Sequence, residues 1–198
     1  MSLSYATERY RTSIAPDELT LTQELANTIP VPAVPGGHDL LAETAAAQAW
    51  LDPLLAGWGE RHGTTPPPVE LTGRSLRALR QLRDRVRALL DGGPGLDGDA
   101  GAAITSTVDV AIGADGSALA PRGDGLAWLT GAVAIELHVA GLTGQRRRLK
   151  LCRNEECGVA FHDQSKNNSR AWHDVSTCGN AANVRAYRER QRHVINPR

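Results

Sequence analysis

The chain has 198 residues and 21.2 kDa, is 41% hydrophobic and 22% charged, and its 22 basic and 22 acidic side chains cancel. That composition excludes a wholly disordered chain. No apolar run approaches the roughly 20 residues a membrane-spanning helix needs, since the longest, Leu126 to Leu142, is interrupted by Glu136 and His138.

The first ten residues lack the basic end and apolar core of a secretion signal, which predicts a cytoplasmic protein with no membrane partner. Pro16 to Leu19 opens a short helix running to about Asn27. Pro30, Pro32, Pro35, Gly36 and Gly37 then rule out regular structure. Asp39 is placed as the N-cap of a helix carrying Leu40, Leu41, Ala47, Trp50, Leu51, Leu54 and Leu55, which Asp52-Pro53 breaks or kinks. Pro66 to Pro68 is a stiff connector.

The clearest amphipathic helix runs from about 69 to 90. Leu76, Leu79, Leu82, Val86, Leu89 and Leu90 form its stripe; Arg74, Arg77, Arg80, Arg83, Arg85 and Arg87 read as a solvated face paired with acids, with binding of an anionic ligand as the alternative. A glycine-rich loop follows through Gly101. The period then changes. Val108, Val110 and Ile112 alternate with Asp109 and Ala111, Ala114 to Ser117 is a turn, and Ala118 to Ala120 returns as a second strand, so a β-hairpin is predicted. Residues 124–140 are apolar on most sides and read as a buried helix, although Val133 to Val139 also alternates like a strand. Gly141 to Gly144 ends the first part. The predicted fold is α+β: a mainly helical domain over 1–144 with a small hairpin, then a zinc module over 145–198 ending in a helix.

The zero net charge hides an asymmetry. Residues 145–198 carry 12 basic and 5 acidic side chains, a net +7, leaving −7 on the first 144. All three cysteines lie in the positive part. An odd number of clustered cysteines in a cytoplasmic chain argues for metal rather than disulfides. The pattern Cys152-x4-Cys157-x15-His173-x4-Cys178 supplies two close ligand pairs with a spacer, the requirement of one closed, structural Zn²⁺ site. His162 competes as the fourth ligand; His173 is preferred because it and Cys178 are the two ends of one turn. Phe161 and Trp172 are the expected packing partners, and Arg153, Arg170 and Arg185 are expected to help ionise the thiols.

After Cys178 the chain reads as a helix capped by Ser176 or Thr177. Arg185, Arg188 and Arg192 share one face, with Val184 and Tyr187 turned toward the zinc core. With Arg146, Arg147, Arg148, Lys166 and Arg170 these arginines form the predicted nucleic-acid surface. An enzyme is not expected: His38, His62, Glu43 and Asp39 are present, but in no catalytic spacing.

The stretch Cys152…Cys157…Phe161-His-Asp163…Arg170-Ala-Trp172-His173-x4-Cys178-Gly179-Asn180…Tyr187-Arg188-Glu-Arg190 resembles the CGNR zinc finger. The region before it resembles the ABATE domain through Asn27-Thr28, the Asp39-Leu40…Trp50-Leu51 helix and the Leu76-Arg77…Leu79-Arg80 helix. The resemblance implies a stress-induced transcription regulator whose zinc module contacts DNA and whose first domain senses a small effector or forms a homodimer. A protein-interaction module without DNA binding is the alternative. This chain departs from the pattern at His173, where the family has cysteine, at Ala181, where the motif has arginine, and at Asn183, where lysine is common. Loss of the arginine at Ala181 predicts a weaker basic face.

Overall fold

The computed structural model describes residues 6–31, 37–92 and 103–195, without the side chains at 186, 189, 190 and 192–195. The prolines and glycines at 32–36 and most of the glycine-rich loop (93–102) lie outside the described residues.

The early helix forms as a 3-10 turn (Asp17–Leu19) running into α1 (Thr20–Ala26), whose residues are all buried. Such a central helix needs its end groups satisfied from elsewhere. The buried Glu136 carboxylate accepts the Leu21 and Thr22 amides at 3.1 and 2.8 Å and the Thr22 hydroxyl at 2.7 Å. At the other end Arg87 donates to the Ala26 carbonyl at 3.0 Å, a cation at a helix C-terminus.

Helix α2 (Thr44–His62) starts later than expected. Glu43 is its N-cap, and Asp39 instead accepts the Leu41 amide and the Arg83 guanidinium, at 2.8 and 2.7 Å. The helix also continues through Pro53. Leu51, Leu54 and Leu55 are buried around the proline, and their packing offsets the one backbone bond it removes. Gly59 is required in the last turn, because a Cβ there would stand 2.5 Å from the Thr64 carbonyl oxygen. His62 stacks on Trp58 at 3.8 Å, and Trp128 meets Trp58 edge-on at 5.1 Å.

Helix α3 (Gly73–Leu90) begins four residues later than the spacing suggests, at a capping box between Thr72 and Ser75. Leu76, Leu79, Leu82 and Val86 are buried as predicted. Its arginines divide. Arg74, Arg77 and Arg85 are exposed. Arg80 donates to the Leu41 and Ala42 carbonyls, and Arg83 is buried against Asp39.

The predicted hairpin is β1 (Val108–Gly113) paired antiparallel with β2 (Gly116–Pro121). Almost all of it is exposed; Ile112 is 83% accessible. Helix α4 (Gly125–Leu142) settles the helix-or-strand ambiguity. By length and composition alone it is apolar enough to cross a membrane, contrary to the sequence expectation, but half of it is buried in the core. A 3-10 turn (Gln145–Arg148) leads to β3 (Leu149–Leu151), which pairs antiparallel with β4 (Ala160–His162).

One hydrophobic core joins α1, α2, α3 and α4, and Leu149 and Ala160 of the second hairpin belong to it. A smaller cluster gathers Cys152, Cys157, Val159, Phe161 and Cys178 with Tyr10 and Val31 from the start of the chain. The polar seam between them is closed by Asn27. Its side chain accepts the Ala160 amide at 2.8 Å and donates to the Ala160 carbonyl at 2.9 Å, as a third strand would.

Candidate metal centre and finger surface

Cys152 follows β3, and its amide donates to the Val159 carbonyl at 2.8 Å. The chain then turns tightly. The Asn154 carbonyl accepts the amides of Cys157 (2.8 Å) and Gly158 (3.3 Å). Gly158 has φ +66°, so the turn favours glycine; a Cβ there would lie 2.8 Å from a terminal Arg87 nitrogen, which would have to shift. The second pair comes from the other side. Asp174, not Ser176 or Thr177, caps the turn before the last helix: its carboxylate accepts both the amide and the hydroxyl of Ser176 at 2.7 Å. A single π-helical turn (Val175–Gly179) presents Cys178 and leads into α5 (Asn180–Ile195).

The ligand atoms of Cys152, Cys157, His173 and Cys178 all lie within 4.8 Å of one another, and the three cysteines are buried. His173 Nδ1 is 3.4 Å from Cys157 Sγ and 3.7 Å from Cys178 Sγ. Zinc–sulfur and zinc–nitrogen bonds at a tetrahedral angle put S and N about 3.6 Å apart. The residues therefore fit one Zn²⁺, with four protein ligands and no open position. Without metal the thiols compete for protons. The Cys157 thiol donates to Cys152, which pulls the Cys152 thiol far down and pushes Cys157 up. A bound Zn²⁺ replaces those protons.

His162 stands apart from the metal ligands. It is buried, its Nε2 is 3.1 Å from Gln145 Oε1, and it lines an open cleft of about 610 Å³ with Ile14, Pro16, Arg148 and Lys166. Phe161 and Trp172 do pack at the zinc end.

Two polar features escaped the sequence reading. Asn154, within the Cys-x4-Cys loop, donates to Cys178 Sγ at 3.4 Å and accepts a hydrogen bond from Arg185. Asp163 is fully buried. It accepts Lys150 Nζ at 2.7 Å and the amides of Ser165 and Arg170 at 2.8 Å each, which ties down the loop before His173. Burial raises its pKa, but those donors outweigh burial and hold the carboxyl well below the usual range.

The cations of the predicted nucleic-acid surface are used differently. Arg146, Arg147, Lys166 and Arg188 are exposed. Arg148 donates to the Asp163 and Ser165 carbonyls at 3.0 and 2.8 Å. Arg170 donates to the His173 carbonyl at 2.6 Å and lies over the Phe161 ring. Arg185 turns to Asn154 and, at 3.7 Å, to Glu156. Arg153 is exposed. The Arg192 side chain lies outside the described residues. Val184 and Tyr187 face outward, not toward the zinc core; Tyr187 is 57% exposed. Of the residues weighed for catalysis, Asp39 is paired with Arg83, Glu43 stands at the N-cap position of α2 and His62 stacks on Trp58.

A mainly helical body bearing a closed Cys3His centre defines a zinc-finger protein. Residues 148–191 match the CGNR zinc finger, and residues 19–146 match ABATE, described as "putative stress-induced transcription regulator". The chain belongs to the ABATE family and carries the CGNR zinc finger behind that domain. No curated protein matches the chain.

Proposed function

We propose that this protein is a cytoplasmic, DNA-binding transcription regulator and not an enzyme. In this reading residues 145–198 form the DNA-contacting module, and residues 1–144 sense an effector or dimerise. The observation that carries it is the division of labour among the finger's cations. Arg148, Arg170 and Arg185 are spent inside the module on carbonyls, a ring and Asn154. Arg146, Arg147, Lys166 and Arg188 stand exposed on a segment of net +7; guanidinium and ammonium groups suit phosphate oxygens, and a guanidinium suits guanine as well. Zinc holds the surface in shape and takes no part in contact. The cleft lined by Ile14 and Pro16 on one side and Arg148, His162 and Lys166 on the other is where a small anionic effector would touch both parts at once.

Gel-shift titration of the zinc-loaded full chain against duplex DNA at 50 and 200 mM salt tests the proposal. Affinity is expected to fall steeply with salt, because each neutralised phosphate releases counterions. Replacing Arg146 and Arg147 together by alanine is expected to flatten that slope by about 2. Retention of an acidic protein surface in place of DNA would move the assignment to a protein-interaction module.

A further inference from the structure

We propose that α5 reads base edges in the major groove of duplex DNA through the face made by Asn183, Val184, Tyr187, Arg188 and Gln191. The proposal rests on the DNA-binding reading above and assigns its specificity to a face that shares only Arg188 with the arginine row. The five positions lie within nine residues, at spacings that put them on one side of the helix. All are exposed. The opposite side is fixed by the metal centre: Cys178 is buried in the ligand set, Ala181 and Ala182 are half-buried, and Arg185 reaches to Asn154. The row Arg185, Arg188, Arg192 therefore starts on the finger-facing side. Asn180, at the start of the helix, is occupied: its Nδ2 donates to the Ser176 carbonyl at 2.8 Å.

The outward face has unusual chemistry for a solvated helix. One of its five side chains is charged, two are amides, and Val184 and Tyr187 expose apolar surface at 46% and 57%. Asn and Gln pair two-point with adenine, Arg with guanine, and apolar groups with the thymine methyl, all in the major groove, which is wide enough for one helix. The segment's +7 charge selects a polyanion as the occupant, and the exposed Arg146, Arg147 and Lys166 supply the backbone contacts that place such a helix.

The test is repeated selection from a random duplex library by the zinc-loaded full chain, followed by titration of the enriched duplex. An enriched motif is expected. Asn183→Ala and Arg188→Ala should each weaken that duplex roughly 5- to 100-fold and relax preference at one or two positions. Asn183→Ala should leave the salt slope and the affinity for unselected DNA as they were. Zinc content and circular dichroism verify that each variant is folded, and Gln191→Ala provides an independent probe of the same face. DNA binding with a steep salt slope but no enriched motif, or a motif indifferent to all three substitutions, overturns the inference and leaves the DNA-binding reading standing. No duplex binding even at 50 mM salt, or preference for single-stranded RNA, removes both.

Discussion

The two ends of the molecule are held by different means. Around α1 the chain is packed on all sides by α2, α3, α4 and the second hairpin, and the burial of Leu19, Leu21, Leu25, Leu51, Leu79 and Leu129 drives assembly. At the zinc end only a handful of apolar side chains gather, and two of them, Tyr10 and Val31, are borrowed from the start of the chain. Buried charge differs as well. In the helical core Glu136 accepts amides and, among the described residues, forms no ion pair, whereas Asp163 in the finger is bonded to Lys150. One end is stabilised by area, the other by a metal and a few well-placed polar bonds.

Metal removal separates the two most strongly. Chelation, or Cys178→Ser, is expected to abolish the roughly 10–16 kcal/mol that zinc contributes to comparable small modules. Residues 145–191 should become protease-sensitive while most of the far-UV helical signal persists; collapse of both together would show that the ends are one cooperative unit. The wild type should hold about one zinc per chain.

A smaller effect distinguishes the buried acids. Burial pushes Glu136 up to about 7, against the opposing bonds from Thr22 and Leu21. A raised carboxyl pKa means that the folded state binds the proton more tightly than the unfolded state. Stability from this group is thus full below its ordinary pKa and lost as pH rises through about 7. Comparing urea midpoints of wild type and Glu136→Gln at pH 8 and 5.5 should show the wild type gaining roughly 2 kcal/mol on the variant at the lower pH. Asp163 has the opposite sign: its lowered pKa gives stability above the usual carboxylate range that disappears as pH falls below about 4.

The seam gives a change of similar size at a single side chain. Asn27→Ala leaves the Ala160 amide without its bond from Asn27 and should cost roughly 1–3 kcal/mol, with faster amide exchange at Ala160. Unchanged exchange there would show that the two ends do not communicate through this side chain.

Much of this division was legible in the sequence. Leu76, Leu79, Leu82 and Val86 have helical period, Val108, Val110 and Ile112 alternate, and the two zinc-ligand pairs show in their spacing, with His162 as a rival to His173. What failed was phase and partnership. Val184 and Tyr187, expected to turn toward the zinc core, are both exposed. Counting from the ligand instead, positions 181, 182 and 185 follow Cys178 at three, four and seven residues and must face the finger. Asp39 looked like a cap because caps are local, yet its strongest partner, Arg83, is 44 residues away. The role of Asn27 left no local pattern, since a single side chain there does what a strand usually does.

That last feature bears on how the protein can be taken apart. The two family matches meet near residue 147, which invites cutting the chain there. A fragment beginning at 145 would keep all four zinc ligands but leave behind Asn27, Tyr10 and Val31. It would expose the edge of Ala160 and the flank of the cysteine cluster to whatever pairs with them next, another fragment included. Aggregation of an isolated finger would then be a scar of the excision, and an assay of its DNA binding would measure that scar along with the intended surface.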